Sequence, residues 1–263
     1  MRLAKQKDVG RILEYLENDL GNCVYLYMDI RKYGLDSSYI KVWINEEEQL
    51  TTVVMRYFDS LQIYADKRNA DMNGIQELVL EEKVQMISGE KGLIDRLRRC
   101  EKVEEDYEAK EGYVFQLENY RVFPCEEIKN GLPEDCQEIA DLMCMDEGFA
   151  GNYDAKNLAL QLQERMQTGM GRSYVIKKNG KIIAHISTFA EDMGIAVTSG
   201  LIVHPKYRDY PYGTIMESNL VNILKKEGFK VFTFVNEQKR VKLLKAMGSK
   251  ECGQYEKLMR KKR

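Results

Sequence analysis

The sequence predicts a mixed α/β protein of the α+β class with two domains, each a mostly antiparallel mixed sheet flanked by helices. Three observations carry this expectation. A chain of 263 residues with 44% hydrophobic residues can bury a proper core, and its length suits one large domain or two of ordinary size. The run "SYVIKKNGKIIAHISTFA" sets two β-rich stretches around Asn179-Gly180, a pair that readily takes the positive φ angles of a tight hairpin turn. Finally, an acidic loop leads into strand-like "GYVFQLE", and a second extended run, "YRVFPCE", follows almost at once. This puts the join near Asn119 and the domains at 1–119 and 120–263.

The first half opens on "MRLAKQKDVGRILEYLENDL", an amphipathic helix rather than a signal peptide. Strands are expected at "CVYLYMDI", "YIKVWI", "LTTVVMRYF" and "LQIYA". A short helix near "GIQELVLEE", the strand "KVQMIS", a helix "EKGLIDRLRRCEK" and "GYVFQLE" complete it.

The second half is punctuated more clearly. Pro133 opens the helix "EDCQEIADLMCM", and Leu158, Leu162 and Met166 mark another by their four-residue spacing. The hairpin at Asn179-Gly180 and the strand "IAVTSGLIV", after an acidic turn at Glu191 to Gly194, make an antiparallel meander. Tyr212, Ile215, Met216, Leu220, Ile223 and Leu224 share one helical stripe that Gly228 is placed to end. Then come the buried strand "KVFTFV", the helix "EQKRVKLLKAM" and a last strand, "CGQYEKLMR". The end of the first half echoes this order, through diverged duplication or independent use of a common arrangement.

Composition excludes several classes of function. Lys+Arg 40 against Asp+Glu 42 leave no overall field to draw the chain to nucleic acid or an anionic membrane. The basic run Arg260 to Arg263 reads as a solvated tail. The six cysteines have no CxxC pair, and only His185 and His204 could supply imidazole, so no metal site is expected. No apolar run is long enough to span a bilayer. The expectation is a reduced, cytoplasmic, soluble protein acting on a small molecule or a peptide.

Function turns on "HPKYRDYPYGTIMESNL", residues 204–220, between a strand and a helix. A helix N-terminus gathers unpaired N–H groups and the positive end of the helix dipole, so an anion is favoured there. Arg208 and Lys206 add charge, and Gly213 would let a phosphate approach the backbone. Chemically the stretch suits a pyrophosphate.

The longer segment "GLIVHPKYRDYPYGTIMESNLVNILKKEGFKVFTFVN" resembles the signature of the GNAT superfamily of acyl-coenzyme A dependent N-acyltransferases: strand, V-x-P-x-x-R/Q-x-x-G-x-G/A, helix, strand, Asn. Val203, Pro205, Arg208, Gly213 and Asn236 occupy matching positions, and the element order of residues 120 to 259 matches the family fold. The resemblance implies two GNAT-like domains, the first degenerate and without the phosphate signature. It further implies acetyl-coenzyme A as cofactor, held by the strand at Leu201, Ile202 and Val203. The loop and helix start at Arg208, Asp209, Tyr210, Tyr212, Gly213 and Thr214 would hold it too, with Asn236 beyond them. The acceptor would be a primary amine.

Two departures stand out. Pro211 replaces the central glycine of the motif and has no N–H to offer a phosphate. Leu244 stands where many members of the family carry a tyrosine that protonates the departing thiolate, and Ser249 replaces the aromatic that follows.

The implied reaction needs a base for the amine and a donor for an oxyanion, the latter expected at the backbone N–H of Val203. Candidates for the base are His185, Glu191, Asp192, Glu147 and Tyr255. Plainer readings exist for three of them, His185 as a hydrogen-bonded sheet histidine and Glu191 and Asp192 as turn residues, and His204 reads as a structural loop residue. The leading reading is a tandem N-acetyltransferase. Its alternative is a non-catalytic relative that binds acyl-coenzyme A or a partner.

Overall fold

The computed structural model describes residues 1–261 apart from 39, 47, 67, 119, 122 and 147–153. The expected join at Asn119 and the candidate Glu147 lie outside the described residues, as do the last two of the basic tail. Two compact units emerge: Met1–Phe115 with Val235–Leu243 and Glu251–Arg263, and Gln116–Phe234 with Leu244–Lys250.

In the first unit, α1 (Val9–Glu17) and α2 (Leu20–Tyr33) precede the meander β2 (Ile40–Glu46), β3 (Leu50–Tyr57) and β4 (Ser60–Ala65), and β1 (Arg2–Leu3) pairs β2. Next come α3 (Met72–Glu82), β5 (Met86–Glu90), α4 (Lys91–Arg98), α5 (Glu101–Asp106) and β6 (Tyr107–Leu117). β4 and β5 run parallel from Ser60↔Met86 to Ile63↔Gly89, and the other pairs, β2 with β3 and β3 with β4, are antiparallel. Leu61, Ile63, Ile75, Ile87, Ile94 and Leu97 form a core between this sheet and α3 and α4.

Three local expectations are corrected here. The opening segment is not one helix: β1 and a 3-10 turn come before α1. "CVYLYMDI" is the middle of α2 rather than a strand, its residues from Val24 to Ile30 almost all buried. A short, continuous apolar run fits a buried helix as well as a buried strand, and only the length of the element separates them. The acidic stretch before "GYVFQLE" is α5 and the beginning of β6, not a loop.

The last strand, β12 (Lys250–Arg260), runs antiparallel to β5 from Tyr255↔Glu90 to Met259↔Met86. Leu258 is fully buried in the core of α3 and α4. The C-terminal strand therefore completes the first unit's sheet, in the order β1-β2-β3-β4-β5-β12-β6, and a single cut of the chain does not separate the two units.

The second unit contains β7 (Ile128–Asn130), α6 (Cys136–Met143), α7 (Ala155–Gln167), β8 (Ser173–Lys178), β9 (Lys181–Asp192), β10 (Ile195–Val203), α8 (Tyr212–Lys226) and β11 (Lys230–Val235). The helix α9 (Gln238–Ala246) follows β11. The sheet order is β11-β10-β9-β8-β7, antiparallel except for β10 with β11. Asn179 and Gly180 join β8 to β9 with φ of 51° and 76°, the turn that the sequence predicts. Ile139, Leu142, Leu158, Leu162, Val175 and Ile202 pack α6 and α7 onto the sheet.

The described residues of the extended run "YRVFPCE" form no strand. Its backbone bonds to side chains of α8 instead: Asn222 accepts from the Tyr120 N–H and donates to the Tyr120 carbonyl, and Ser218 and Asn219 donate to the carbonyls of Arg121 and Phe123. These side chains satisfy main-chain groups that a ladder would otherwise pair.

Among the described residues, no helix is long and apolar enough to cross a membrane, and no cluster of three or more His, Cys, Asp or Glu is arranged to hold a metal ion.

Candidate functional site

The site is built where a parallel strand pair comes apart. β10 pairs β11 from Ile195↔Lys230 to Thr198↔Thr233, and β10 then continues to Val203. A register shift between Ser199 and Ile202 marks the place. Gly200 makes it, with φ of 66° and a position where an added Cβ would lie 3.0 Å from the His185 ring. An isolated glycine within a strand pattern is the sequence signal of such a bulge.

Past the bulge, Ile202 pairs with His185, and the His204 N–H donates to the Ile183 carbonyl. Main-chain groups of a strand alternate in direction, so the N–H and C=O of the intervening Val203 point away from β9, toward the open edge. The Val203 carbonyl accepts from Arg208 Nε at 3.1 Å. This bond draws the exposed guanidinium back over the end of β10. Its other end lies 3.4 Å from the Asp146 carboxylate.

The chain from His204 to Tyr210 is a 3-10 turn and a second turn, closed by Tyr207 N–H to His204 O, Arg208 N–H to Pro205 O and Tyr210 N–H to Tyr207 O. Helix α8 starts at Tyr212 with Pro211 as its N-cap residue, no side-chain cap and no acidic residue in its first turn. The first main-chain bond of the helix is Ile215 N–H to Pro211 O, so the amides of Tyr212, Gly213 and Thr214 precede the intrahelical ladder. A Cβ on Gly213 would meet only Val203 Cγ2, at 3.7 Å, an ordinary contact. Neither the backbone angle nor the protein's own packing requires glycine there. The space above it suits a group that approaches the backbone.

The pseudo-equivalent place in the first unit is closed. There the parallel pairing of β4 with β5 also stops short of the end of β4, and α3 follows. But Asp71 caps that helix, its carboxylate accepting from the Gly74 N–H at 2.9 Å. A local anion already occupies the helix start.

The structure thus brings Leu201, Ile202, Val203, Arg208, Asp209, Tyr210, Tyr212, Gly213 and Thr214 into one continuous strand-turn-helix corner of the second unit. Tyr210 is exposed, and its ring lies 5.7 Å from that of Tyr212. Asn236 is exposed just past β11 and groups with the first unit, as does Tyr255, which lies on β12 against Gly112 of β6.

The base candidates in the second unit are engaged elsewhere. His185 is fully buried between the Gly200 carbonyl, 2.8 Å from Nδ1, and Ser173 Oγ, 3.2 Å from Nε2. A carbonyl only accepts, so Nδ1 carries the proton and Nε2 accepts from the serine. Burial holds the imidazole at a pKa of about 4, outweighing the Gly200 bond that favours the charged form, and the ring is neutral. Glu191 accepts from Arg172 Nε at 2.9 Å and from the Thr188 hydroxyl, and Arg172 also grips Glu227. Those two carboxylates hold the Arg172 guanidinium well above its ordinary pKa. Asp192 stands at the β9–β10 turn, opposite Ile195. Leu244 is fully buried, and Ser249 shares a 2.8 Å hydrogen bond with the Tyr120 hydroxyl, a packing role for the position after the helix.

Asp146 is the site residue that sequence reasoning misses. It lies 62 positions from Arg208, and no local pattern signals the pairing.

Residues 137–248 match the model of the acetyltransferase (GNAT) family. No curated protein matches the chain significantly. Among solved structures, a Drosophila protein superposes with a TM-score of 0.75 at 14% identity, over 99% of this chain and 98% of its own. A GCN5-related N-acetyltransferase from Sphaerobacter thermophilus gives 0.62 at 15% identity, over 98% and 93%. A tandem GNAT protein of the clavulanic acid biosynthesis pathway gives 0.61 at 11% identity, over 97% and 96%. At such identities the likeness is one of fold, and the last spans both units. Residues 137–248 thus match the acetyltransferase (GNAT) family model, within a chain whose fold is similar along nearly its whole length to that of a tandem GNAT protein.

Proposed function

We propose that the chain is an N-acyltransferase that uses acetyl-coenzyme A, or a related acyl-coenzyme A, and acylates a primary amine of a small molecule or peptide. The observation that carries this reading is the contrast between the two helix starts. Asp71 fills the one after β4, whereas the one after β10 has uncapped amides, a nearby guanidinium and open space over Gly213. Such a corner fits a pyrophosphate.

In this reading Arg208 and the amides of Tyr212, Gly213 and Thr214 would hold the phosphates, and the open edge of β10 from Leu201 to Val203 would hold the pantetheine arm. Acyl-coenzyme A, when bound, supplies an activated thioester carbonyl. The Val203 N–H would be a fixed donor for charge developing on that carbonyl's oxygen. With both nitrogens of His185 bonded and Glu191 gripped by Arg172, the ammonium proton of the acceptor would leave through water rather than through either side chain.

The test is a calorimetric titration of acetyl-coenzyme A into the protein, with Arg208→Glu as control. Micromolar binding that disappears in the variant, while its circular dichroism stays unchanged, supports the site. Equal affinity in the variant, or no binding to the wild type, sinks it.

A second reading is favoured by Leu244, fully buried where the family resemblance calls for a tyrosine acid. The chain would then bind acyl-coenzyme A without turning it over. Tight binding together with no thiol release across a panel of amines would select it.

A further inference from the structure

Arg208, in the proposed phosphate corner, already holds a carboxylate. Asp146, just beyond α6, lies with Oδ2 3.4 Å from a terminal nitrogen of Arg208, and both side chains are about half exposed. Arg208 Nε stays on the Val203 carbonyl, so the guanidinium is oriented independently of Asp146. The first unit offers a comparison: there Asp71, adjacent in sequence to its own helix, caps α3 through the Gly74 amide and has no reason to leave. Helix α8 lacks any cap of its own, and the anion beside it is borrowed from a different element.

Resting on the acyl-coenzyme A reading above, we infer that Asp146 is an internal competitor of the cofactor's pyrophosphate for Arg208. Cofactor binding displaces it and so reports occupancy to the C-terminal end of α6. Like charge favours this exchange. A pyrophosphate that engages the guanidinium meets repulsion from Asp146, and the two compete for the terminal nitrogen that Asp146 now faces. The Asp146 N–H is bonded to the Met143 carbonyl at 3.1 Å, the last turn after α6, so movement of Asp146 loosens that turn.

The experiment is a calorimetric titration of coenzyme A into wild type, Asp146→Asn, Arg208→Gln and the double variant at low and high salt. An exposed ion pair is weak, so Asp146→Asn should tighten binding by up to about fivefold at low salt. The gain should shrink as salt screens the pair and vanish in the Arg208→Gln background. Hydrogen exchange at Met143–Asp146 should rise in the wild type when coenzyme A binds. If the wild type binds and Arg208→Gln weakens it, while Asp146→Asn binds no tighter, the competition is refuted and the phosphate site stands. Unchanged exchange in the coenzyme A complex refutes the displacement. If the wild type does not bind at all, the reading of the site and this inference fall together.

Discussion

Arg208 Nε donates to the carbonyl of Val203 at 3.1 Å, tying the loop arginine to the last residue of β10. The strand edge proposed for the thioester and the charge proposed for the phosphates are thereby held in one register. A planar guanidinium can make this bond and still present its terminal nitrogens outward, which an ammonium cannot do.

Arg208→Lys should therefore weaken coenzyme A binding by about tenfold although the charge is kept, because the tether and the forked donor are both lost. Thermal stability should change little at this exposed position. Calorimetry alongside a melting curve checks both.

Pro211→Gly restores an N–H at the start of α8. Coenzyme A should bind a few-fold more tightly, while folding loses roughly 0.4–1 kcal/mol through the freer unfolded chain. Weaker binding in this variant would mean that the φ of −79° at Pro211 pre-shapes the corner.

His185 sets an acid-side slope on stability. Its folded pKa of about 4 lies below the ordinary 6.5, so the unfolded chain binds more protons between these values. The stability that the neutral ring contributes is whole above about pH 6.5 and is lost as pH falls toward 4, by up to about 3 kcal/mol. His185→Gln should flatten this slope in urea titrations across pH 4 to 7.

Glu256 on β12 sets the opposite slope. Its side chain is fully buried and, among the described residues, neither oxygen of the carboxylate accepts a hydrogen bond, with Arg98 3.8 Å away and shared with Asp95. Lys91, the other nearby cation, is taken by Glu111 at 2.6 Å. Burial first, then Asp95, raises the pKa of Glu256 to about 7. The folded state therefore holds the extra proton, and the corresponding stability, full below about pH 4.5, is lost as pH rises through 7. Glu256→Gln should remove this dependence and stabilise the protein at pH 8 by roughly 1–3 kcal/mol. A variant less stable than wild type at pH 8 would show that the carboxylate is compensated in the fold.

Much of the fold was legible locally. The Asn179-Gly180 hairpin, the α8 stripe from Tyr212 to Leu224 and the strand-to-helix corner at Arg208 depend on residues within a few positions of one another. "CVYLYMDI" was misread because a short apolar run has no period that separates strand from helix. "YRVFPCE" was misread because its hydrogen-bond partners, Ser218, Asn219 and Asn222, lie about a hundred positions away.

The sequence alone determined the GNAT-like signature of this chain, an arginine-glycine corner ahead of a helix, since turn chemistry and helical periodicity are properties of neighbouring residues. Only the tertiary structure decided that β12 closes the sheet of the first unit, that Asp71 fills one helix start while α8 keeps its own open, and that Asp146 faces Arg208. Strand pairing and charge pairing between distant segments are chosen by which surfaces the folded core brings within a few ångströms, and no local pattern encodes that proximity.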